Sequence, residues 1–282
     1  MNPRAAAWAV TVVSISLAAA QETKSIQKFN LSINSNLIMA LDSAKNKVDA
    51  DTKLAYTLER GGAEVILLLD AQQVLVKTNG VEVVNSFMNK DKAVNKEKGK
   101  FVEVTIDEAG DDLKQLLSDS FGKPLAKIEI DGDGKEVKQT ITAGPGAKTM
   151  IENGMITNAR LFHPAFYGKM DQWQAPVEIS KGNQGYARGD LTYAKAVPGD
   201  KGNLVKVKVS GTLTNKEFQP PGSAITFLDA KYLVDGEQTY DRALKEWSAG
   251  ALNIKVSFDI YAANKKLGSA MGTMKVGLER AK

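Results

Sequence analysis

The sequence predicts a mainly β protein built from two consecutive curved antiparallel sheet units, with one or two short amphipathic helices. Three local patterns indicate this. Apolar residues alternate on both sides of Asp131-Gly132, a dipeptide typical of tight hairpins. Asn79-Gly80 stands between two further β-rich runs. Residues 204–213 alternate valine with lysine or serine, which is typical of a strand with one face in water.

The first twenty residues have the layout of a secretory signal peptide. Arg4 gives a positive start, an apolar run follows, and Ala18-Ala19-Ala20 provides small residues for cleavage. The apolar run is shorter than the roughly 20 residues that a membrane span needs. We therefore expect export to the periplasm or beyond, with cleavage near Ala20 and no transmembrane span.

Composition narrows the class of protein. The remaining 262 residues contain no cysteine, so disulfides cannot stabilise the fold. Removing Arg4 leaves 36 basic against 33 acidic residues, a net charge of +3. A balance this slight argues against nucleic acid as a partner.

In the first half, the sequence predicts five stretches of strand and a helix. Phe29, Leu31 and Ile33 alternate with polar residues, and residues 37–41 extend that strand before a polar turn over residues 46–51. Leucines at helical spacing follow Asp111 and predict an amphipathic helix near residues 111–121. The remaining predicted strands are 54–58, 65–69, 74–84 around Asn79-Gly80, and 101–106.

The second half reads as a meander. Gly144-Pro145-Gly146 marks a break, and a short helix is expected over residues 147–152. Asp235-Gly236 after a β-rich run resembles the first hairpin turn. The domains expected are a signal peptide (1–20), an N-terminal unit (21–143), a connecting segment (144–176) and a C-terminal meander (177–282). The strands expected in the meander are 177–179, 186–196, 204–213, 225–234, 239–244, 252–261 and 271–278.

The layout resembles an uncharacterised family of exported bacterial β-rich proteins that share a domain of unknown function. The hairpin at residues 126–137, the segment Gly168-Lys169-Met170-Asp171-Gln172-Trp173 and the alternating run that ends near Leu213 carry the resemblance. The family's first segment is matched only loosely before Leu54. The resemblance implies a curved antiparallel sheet in each half and transfers no catalytic residue.

No motif predicts a catalytic, cofactor-binding or metal-binding residue. His163 is the only histidine and stands before a proline, which favours a packing role. Asp131-Gly132-Asp133-Gly134 lacks the later ligands of a calcium loop. Ala147 replaces the glycine that precedes lysine in a phosphate loop.

Two groups of residues are candidates for contacts with a ligand or a surface. The aromatic residues near the two tryptophans are predicted to pack in the core; the alternative is that they line a site for an apolar ligand. The lysine-rich stretch is predicted to be a solvated hairpin tip; the alternative is that it contacts an anionic surface. The candidate ligand contacts are Trp173, Trp247, Tyr167 and Tyr240, and the candidate anionic-surface contacts are Lys90, Lys92, Lys96, Lys98 and Lys100.

The leading functional hypothesis is an exported, non-enzymatic binding or scaffold protein of the bacterial envelope. Long strands with one apolar face, and few helices to cover them, indicate a concave sheet that holds a hydrophobic small molecule or another envelope protein. A carboxylate-dependent hydrolase of envelope polymer is one alternative, and it requires two acidic side chains about 5–10 Å apart. A structural protein that contacts anionic polymer through its basic loop is the other.

Overall fold

The chain folds into a large antiparallel sheet, which confirms the mainly β class with a minor helical part. The computed structural model describes residues 25–41, 44–97, 99–131, 136–147, 164, 166–180, 186–219 and 224–281. Over these residues the sheet has 14 strands, and it is not closed by pairing between its two edges.

Eight strands and both helical segments come from residues before 150. The α-helix α1 spans Asp111–Ser120, and a single 3-10 turn spans Pro145–Ala147. The strands are β1 (Ser25–Leu41), β2 (Ala44–Gly61), β3 (Glu64–Thr78), β4 (Val81–Asn89), β5 (Lys92–Glu97), β6 (Lys100–Thr105), β7 (Pro124–Ile130) and β8 (Glu136–Ile141).

Six further strands, most of them long, form the second half. They are β9 (Gln172–Ser180), β10 (Tyr186–Lys195), β11 (Leu204–Phe218), β12 (Ile225–Asp241), β13 (Glu246–Ala262) and β14 (Lys265–Arg280).

The strand order joins the first and last strands of the chain. The path runs β6-β5-β4-β3-β2-β1-β14-β13-β12-β11-β10-β9, and β1 pairs with β14 from Phe29–Arg280 to Leu41–Gly268. Residues of both predicted units therefore contribute to one continuous sheet. The path branches at β3, whose first residues pair with β7 and whose later residues pair with β4.

The core lies on one side of the sheet, here called the inner face. Because side chains alternate along a strand, the register defines which residues share it. Leu31 on β1 pairs with Leu54 on β2 and Leu278 on β14, and all three are buried. The opposite side, here called the outer face, carries the polar residues between them.

Two local predictions are confirmed in detail. Asn79 and Gly80 have φ values of 51° and 82°, as the predicted two-residue hairpin turn requires, and they connect β3 to β4. The helix α1 begins at Asp111 and ends at Ser120, and Phe121 after it is extended. Asp111 and Asp112 lie in its first turn, where a negative charge stabilises the helix.

Three local predictions are wrong because tertiary pairing overrides turn propensity. Asp235 and Gly236 lie inside β12 rather than in a turn, since β13 pairs with them throughout. The polar residues 46–51 are strand, paired with β1 on one side and β3 on the other. The basic stretch is not all loop, because Lys92–Glu97 pairs with β4 and β6.

Several predicted features lie outside the described residues. These are the signal peptide at residues 1–20, His163, Lys98 and all but the start of the short helix expected at 147–152. None of the helices in the described ranges combines the length and apolarity that crossing a bilayer demands.

Candidate functional site: the inner face of the sheet

Aromatic side chains gather around Phe166 at one end of the inner face. The Phe166 ring stacks on Tyr240 with centroids 3.9 Å apart, and it meets Trp173 and Trp247 edge-on at 5.7 and 5.9 Å. We call this group the aromatic cluster; its members are Phe166, Tyr167, Trp173, Tyr193, Tyr240 and Trp247.

The cluster contains all four aromatic residues predicted as ligand contacts, and most of it is buried. Trp247 is 1% exposed and Trp173 is 5% exposed. The indole Nε1 of Trp247 donates a hydrogen bond to the Pro164 carbonyl oxygen at 2.7 Å. These contacts make the cluster a filled part of the core.

Sequence reasoning did not select Tyr193, which is fully buried in the cluster. Its ring stacks on Trp173, with centroids 5.5 Å apart, because β10 places Tyr193 opposite Trp173 on β9. Only the pairing of β9 with β10 identifies Tyr193 as a member of the cluster. Phe166 directly precedes Tyr167, one of the predicted ligand contacts, so its position next to Tyr167 was the sequence signal that could have identified it.

A buried ion pair lies at the same end. The Arg60 Nη2 is 2.7 Å from Oε2 of Glu246, whose side chain is 5% exposed. Burial, and then the negative charge of Glu246, raise the pKa of Tyr56 well above its usual value. The same causes, in the same order, raise the pKa of Tyr240 to about 12. Both hydroxyls therefore stay protonated at physiological pH, and they can donate hydrogen bonds but do not ionise.

Beyond the aromatic cluster, some inner-face residues, such as Leu31, Val256 and Ile260, are fully buried, whereas part of the inner face consists of half-buried apolar side chains. Leu37 on β1, for example, pairs with Val48 on β2 and with Gly272 on β14. Phe121, which directly follows α1, forms an isolated parallel bridge with Leu69 on β3, away from this part of the sheet. The half-buried inner-face residues are Ile33, Leu37, Val48, Ala50, Val74, Val76, Met274, Phe258 and Tyr232.

Glycines on the inner face allow the sheet to curve around it. A Cβ added to Gly272 would fall on the Asn36 carbonyl oxygen of β1, and one added to Gly268 would fall on that of Ala40. A Cβ at Gly236 would meet the Ala251 carbonyl oxygen of β13 in the same way. Such close approach of neighbouring strands is how glycine produces sharp bends in a sheet. These positions on β12 and β14 therefore require glycine.

The outer face carries a shallow trough of about 640 Å³ that crosses β12 to β4. Its floor consists of small side chains, and charged or aromatic residues flank them. A second, polar hollow of about 450 Å³ continues it and is lined by Asn34, Asp51 and Lys275. The residues that line the trough with their side chains include Ala55, Ala71, Ala249, Ala251, Phe87, Lys53, Glu237 and Glu279.

The candidate surface lysines lie on β5 and the turns beside it. Lys92 pairs with Glu103 at 2.7 Å and Lys96 with Glu82 at 2.9 Å, so part of their charge is compensated. Lys90 and Lys100 are exposed.

The described residues offer little for metal-dependent chemistry. Within them, no group of three or more acidic or histidine side chains comes together in a way that could hold a metal ion. Glu237 and Glu279 both line the trough, but Glu237 also lies 3.4 Å from Lys206.

Comparison with known proteins gives only distant likenesses. No protein-family model and no curated protein matches the sequence. A lipovitellin structure described by its lipid–protein interactions aligns at 10% identity and a TM-score of 0.48, over 91% of this chain and 25% of that one. OccK5 (OpdH) of Pseudomonas aeruginosa aligns at 7% identity and a TM-score of 0.25, over 91% of this chain and 98% of that one. The chain thus spans a quarter of the lipovitellin that it matches, and TM-scores below 0.5 establish no shared function.

Proposed function

We propose that this protein is an exported, non-enzymatic binding protein of the bacterial envelope that holds a hydrophobic, lipid-like ligand on the inner face of its sheet. One observation supports the proposal most directly. On β1, β2 and β3 the inner face carries a patch of aliphatic side chains, among them Leu37, Val48 and Val76, that are only half-buried, next to fully buried inner-face residues of β13 and β14.

The energetics favour an occupant on this surface. Apolar area in contact with water costs about 25 cal/mol per Å², so a row of half-buried aliphatic side chains gains stability when a ligand covers it. A ligand gains roughly 0.8 kcal/mol for each CH₂ group that it buries there.

The lining also suggests the class of ligand. Aliphatic side chains such as Leu37, Val48 and Val76 provide shape and apolar contact without directional hydrogen bonds. A surface of this kind suits an acyl chain, which has no polar groups along its length. The aromatic cluster, in which Trp173, Tyr193 and Trp247 are buried, sets one boundary of the available surface.

The test combines native mass spectrometry with ligand titration. Protein purified gently from its own host should carry extra mass that solvent extraction removes. Delipidated protein should bind a fluorescent fatty acid in solution. A polypeptide that carries no extra mass and also fails to bind the probe would contradict the proposal.

A matched pair of substitutions locates the ligand. Ala50→Trp fills the half-buried inner face, whereas Ala251→Trp fills the trough on the outer face. We expect Ala50→Trp to weaken probe binding at least tenfold and Ala251→Trp to leave it unchanged. Circular dichroism and thermal melting verify that both variants fold. The opposite pattern would place the ligand in the trough and overturn the assignment to the inner face.

A further inference from the structure

One end of the sheet, opposite the aromatic cluster, consists of adjacent turns. Because β6, β5, β4, β3, β2, β1, β14 and β13 are neighbours in that order, the turns that join them in pairs lie side by side. We call this end the rim. It comprises the described residues that flank the β5–β6, β3–β4, β1–β2 and β13–β14 connections.

The rim is rich in lysine. Lys47, Lys96 and Lys266 each form an ion pair, with Asp49, Glu82 and Asp259 respectively. Neither Lys100 nor Lys265 has an ion pair with a described acidic side chain, and both are exposed. The lysines of the rim are Lys45, Lys47, Lys77, Lys96, Lys100, Lys265 and Lys266, against the described acidic residues Asp49, Glu82, Glu97 and Asp259 near the same turns.

Large apolar side chains lie exposed among these lysines. Val81, the first residue of β4, is 66% exposed, and Phe101, the second residue of β6, is 64% exposed. Met271 is 61% exposed and lies across from Ile38, which is 43% exposed. Lysine beside exposed aromatic and aliphatic residues is the composition of surfaces that enter the interface of an anionic membrane.

The rim is also continuous with the proposed ligand surface. Leu37 and Val76 on the inner face lie only a few residues from the β1–β2 and β3–β4 turns. A ligand that enters or leaves at this end would pass the exposed rim, because the aromatic cluster fills the other end.

We propose that the rim docks onto an anionic lipid surface, so that the open end of the inner face meets the bilayer. This inference rests on the proposed function, because the docked bilayer would be the source of the hydrophobic ligand. Lysines attract the anionic headgroups, and Val81 and Phe101 enter the interfacial layer. An anionic polymer would offer the same charge but no apolar layer for those two side chains.

Vesicle co-sedimentation of the full chain tests the proposal. The protein should bind vesicles of phosphatidylglycerol and phosphatidylcholine at least tenfold more tightly than vesicles of phosphatidylcholine alone, and salt should weaken binding. The double variants Lys100→Glu/Lys265→Glu and Val81→Ser/Phe101→Ser should each lose most of this affinity. Lys169→Glu/Lys201→Glu changes exposed lysines away from the rim and is the matched control.

The outcomes separate this inference from the proposed function. Rim variants that lose vesicle binding but still bind the fluorescent fatty acid in solution support docking through the rim. Equal binding to both kinds of vesicle, or equal losses in rim and control variants, would overturn it. Unchanged binding of Val81→Ser/Phe101→Ser would also overturn it, and would indicate a purely ionic partner such as an anionic polymer. Vesicle binding by protein that takes up no fatty acid would contradict the proposed function alone.

Discussion

Arg60 and Glu246 form an ion pair that joins strands from opposite ends of the chain. The Arg60 Nη2 on β2 lies 2.7 Å from the Glu246 Oε2 on β13, although β1 and β14 stand between those two strands. The backbone N–H of Trp247 also donates to Oε1 of Glu246 at 3.0 Å. The Glu246 carboxylate therefore links β2 of the first half to β13 of the second half, next to the aromatic cluster.

Breaking this pair should be costly. Arg60→Met leaves the Glu246 carboxylate buried without its counter-charge, and we expect the free energy of unfolding to fall by about 3–5 kcal/mol. The double variant Arg60→Met/Glu246→Gln should recover part of the loss, because no buried charge remains. Urea denaturation measures the free energy of unfolding of the wild type and both variants.

As a control, Lys206→Met breaks an exposed ion pair with Glu237 and should lower the free energy of unfolding by at most about 1 kcal/mol. If Lys206→Met and Arg60→Met lowered the free energy of unfolding by the same amount, the Arg60–Glu246 pair would not behave as a buried ion pair.

Gly272 and Gly277 lie on the same strand but should respond differently to alanine. A Cβ at Gly272 would meet the backbone carbonyl oxygen of Asn36 on the neighbouring strand, which cannot move without disturbing the sheet. We expect Gly272→Ala to lower the free energy of unfolding by about 1–3 kcal/mol.

Gly277→Ala is the matched control for that prediction. Its nearest obstacle is the Ser32 hydroxyl at 2.9 Å, a group that can rotate away. Thermal melting should show little change for Gly277→Ala and a clear drop for Gly272→Ala. Similar melting temperatures would mean that the sheet does not depend on a close strand approach at Gly272.

Local signals in the sequence predict local structure well. Asn79 and Gly80 both adopt positive φ, and the turn forms as predicted, with the Asn79 backbone N–H donating to the Lys47 carbonyl oxygen of β2 at 2.8 Å. Asp235-Gly236 carries a similar signal but lies inside β12, because β11 and β13 both pair with it there. The difference lies in partners distant in the chain, which a local pattern cannot reveal.

Long-range pairing accounts for the rest of the fold and of the candidate site. The alternation on β1 predicts a strand, but nothing in it specifies β14 as the neighbour. Trp173 and Trp247 could be selected as a pair because tryptophan is rare in this chain. Tyr193 and the Arg60–Glu246 pair could not, since only the register of the sheet brings them to the inner face.

Tyr193 should tolerate the loss of its hydroxyl better than the loss of its ring. The hydroxyl oxygen is buried and has no hydrogen-bond partner among the described residues, and burial raises the pKa of this tyrosine. Tyr193→Phe removes the unpaired group and should leave the free energy of unfolding unchanged, or raise it by up to about 1–3 kcal/mol.

Tyr193→Ala, in contrast, removes the ring that stacks on Trp173 and should cost about 3–5 kcal/mol. Denaturation at pH 7 compares the two variants. Because a raised pKa makes the wild type lose stability as pH rises past the usual tyrosine value of 10.0, Tyr193→Phe should also be the more resistant to alkali. A phenylalanine variant as unstable as the alanine variant would show that the hydroxyl has a partner in solution.

Asp171 should contribute to stability at neutral pH but not in acid. Its Oδ1 accepts hydrogen bonds from the Gly199 backbone N–H at 2.8 Å and from the Lys195 Nζ at 3.2 Å. These contacts, the Gly199 bond foremost, hold the pKa of Asp171 below its ordinary value of 3.8. A group with a lowered pKa in the folded state stabilises the fold above its unfolded pKa, and this contribution disappears as pH falls through the folded value.

Asp171→Asn removes that pH dependence. The variant should be less stable than the wild type at pH 7, since the amide oxygen of asparagine can accept the same hydrogen bonds but carries no charge to pair with the Lys195 ammonium. The difference between the two proteins should narrow below pH 3.8 and vanish once the wild-type carboxyl is protonated. Denaturant titrations at a series of pH values measure the difference directly. A constant difference across the series would mean that the carboxylate charge is not what holds Lys195 and Gly199 at this end of β10.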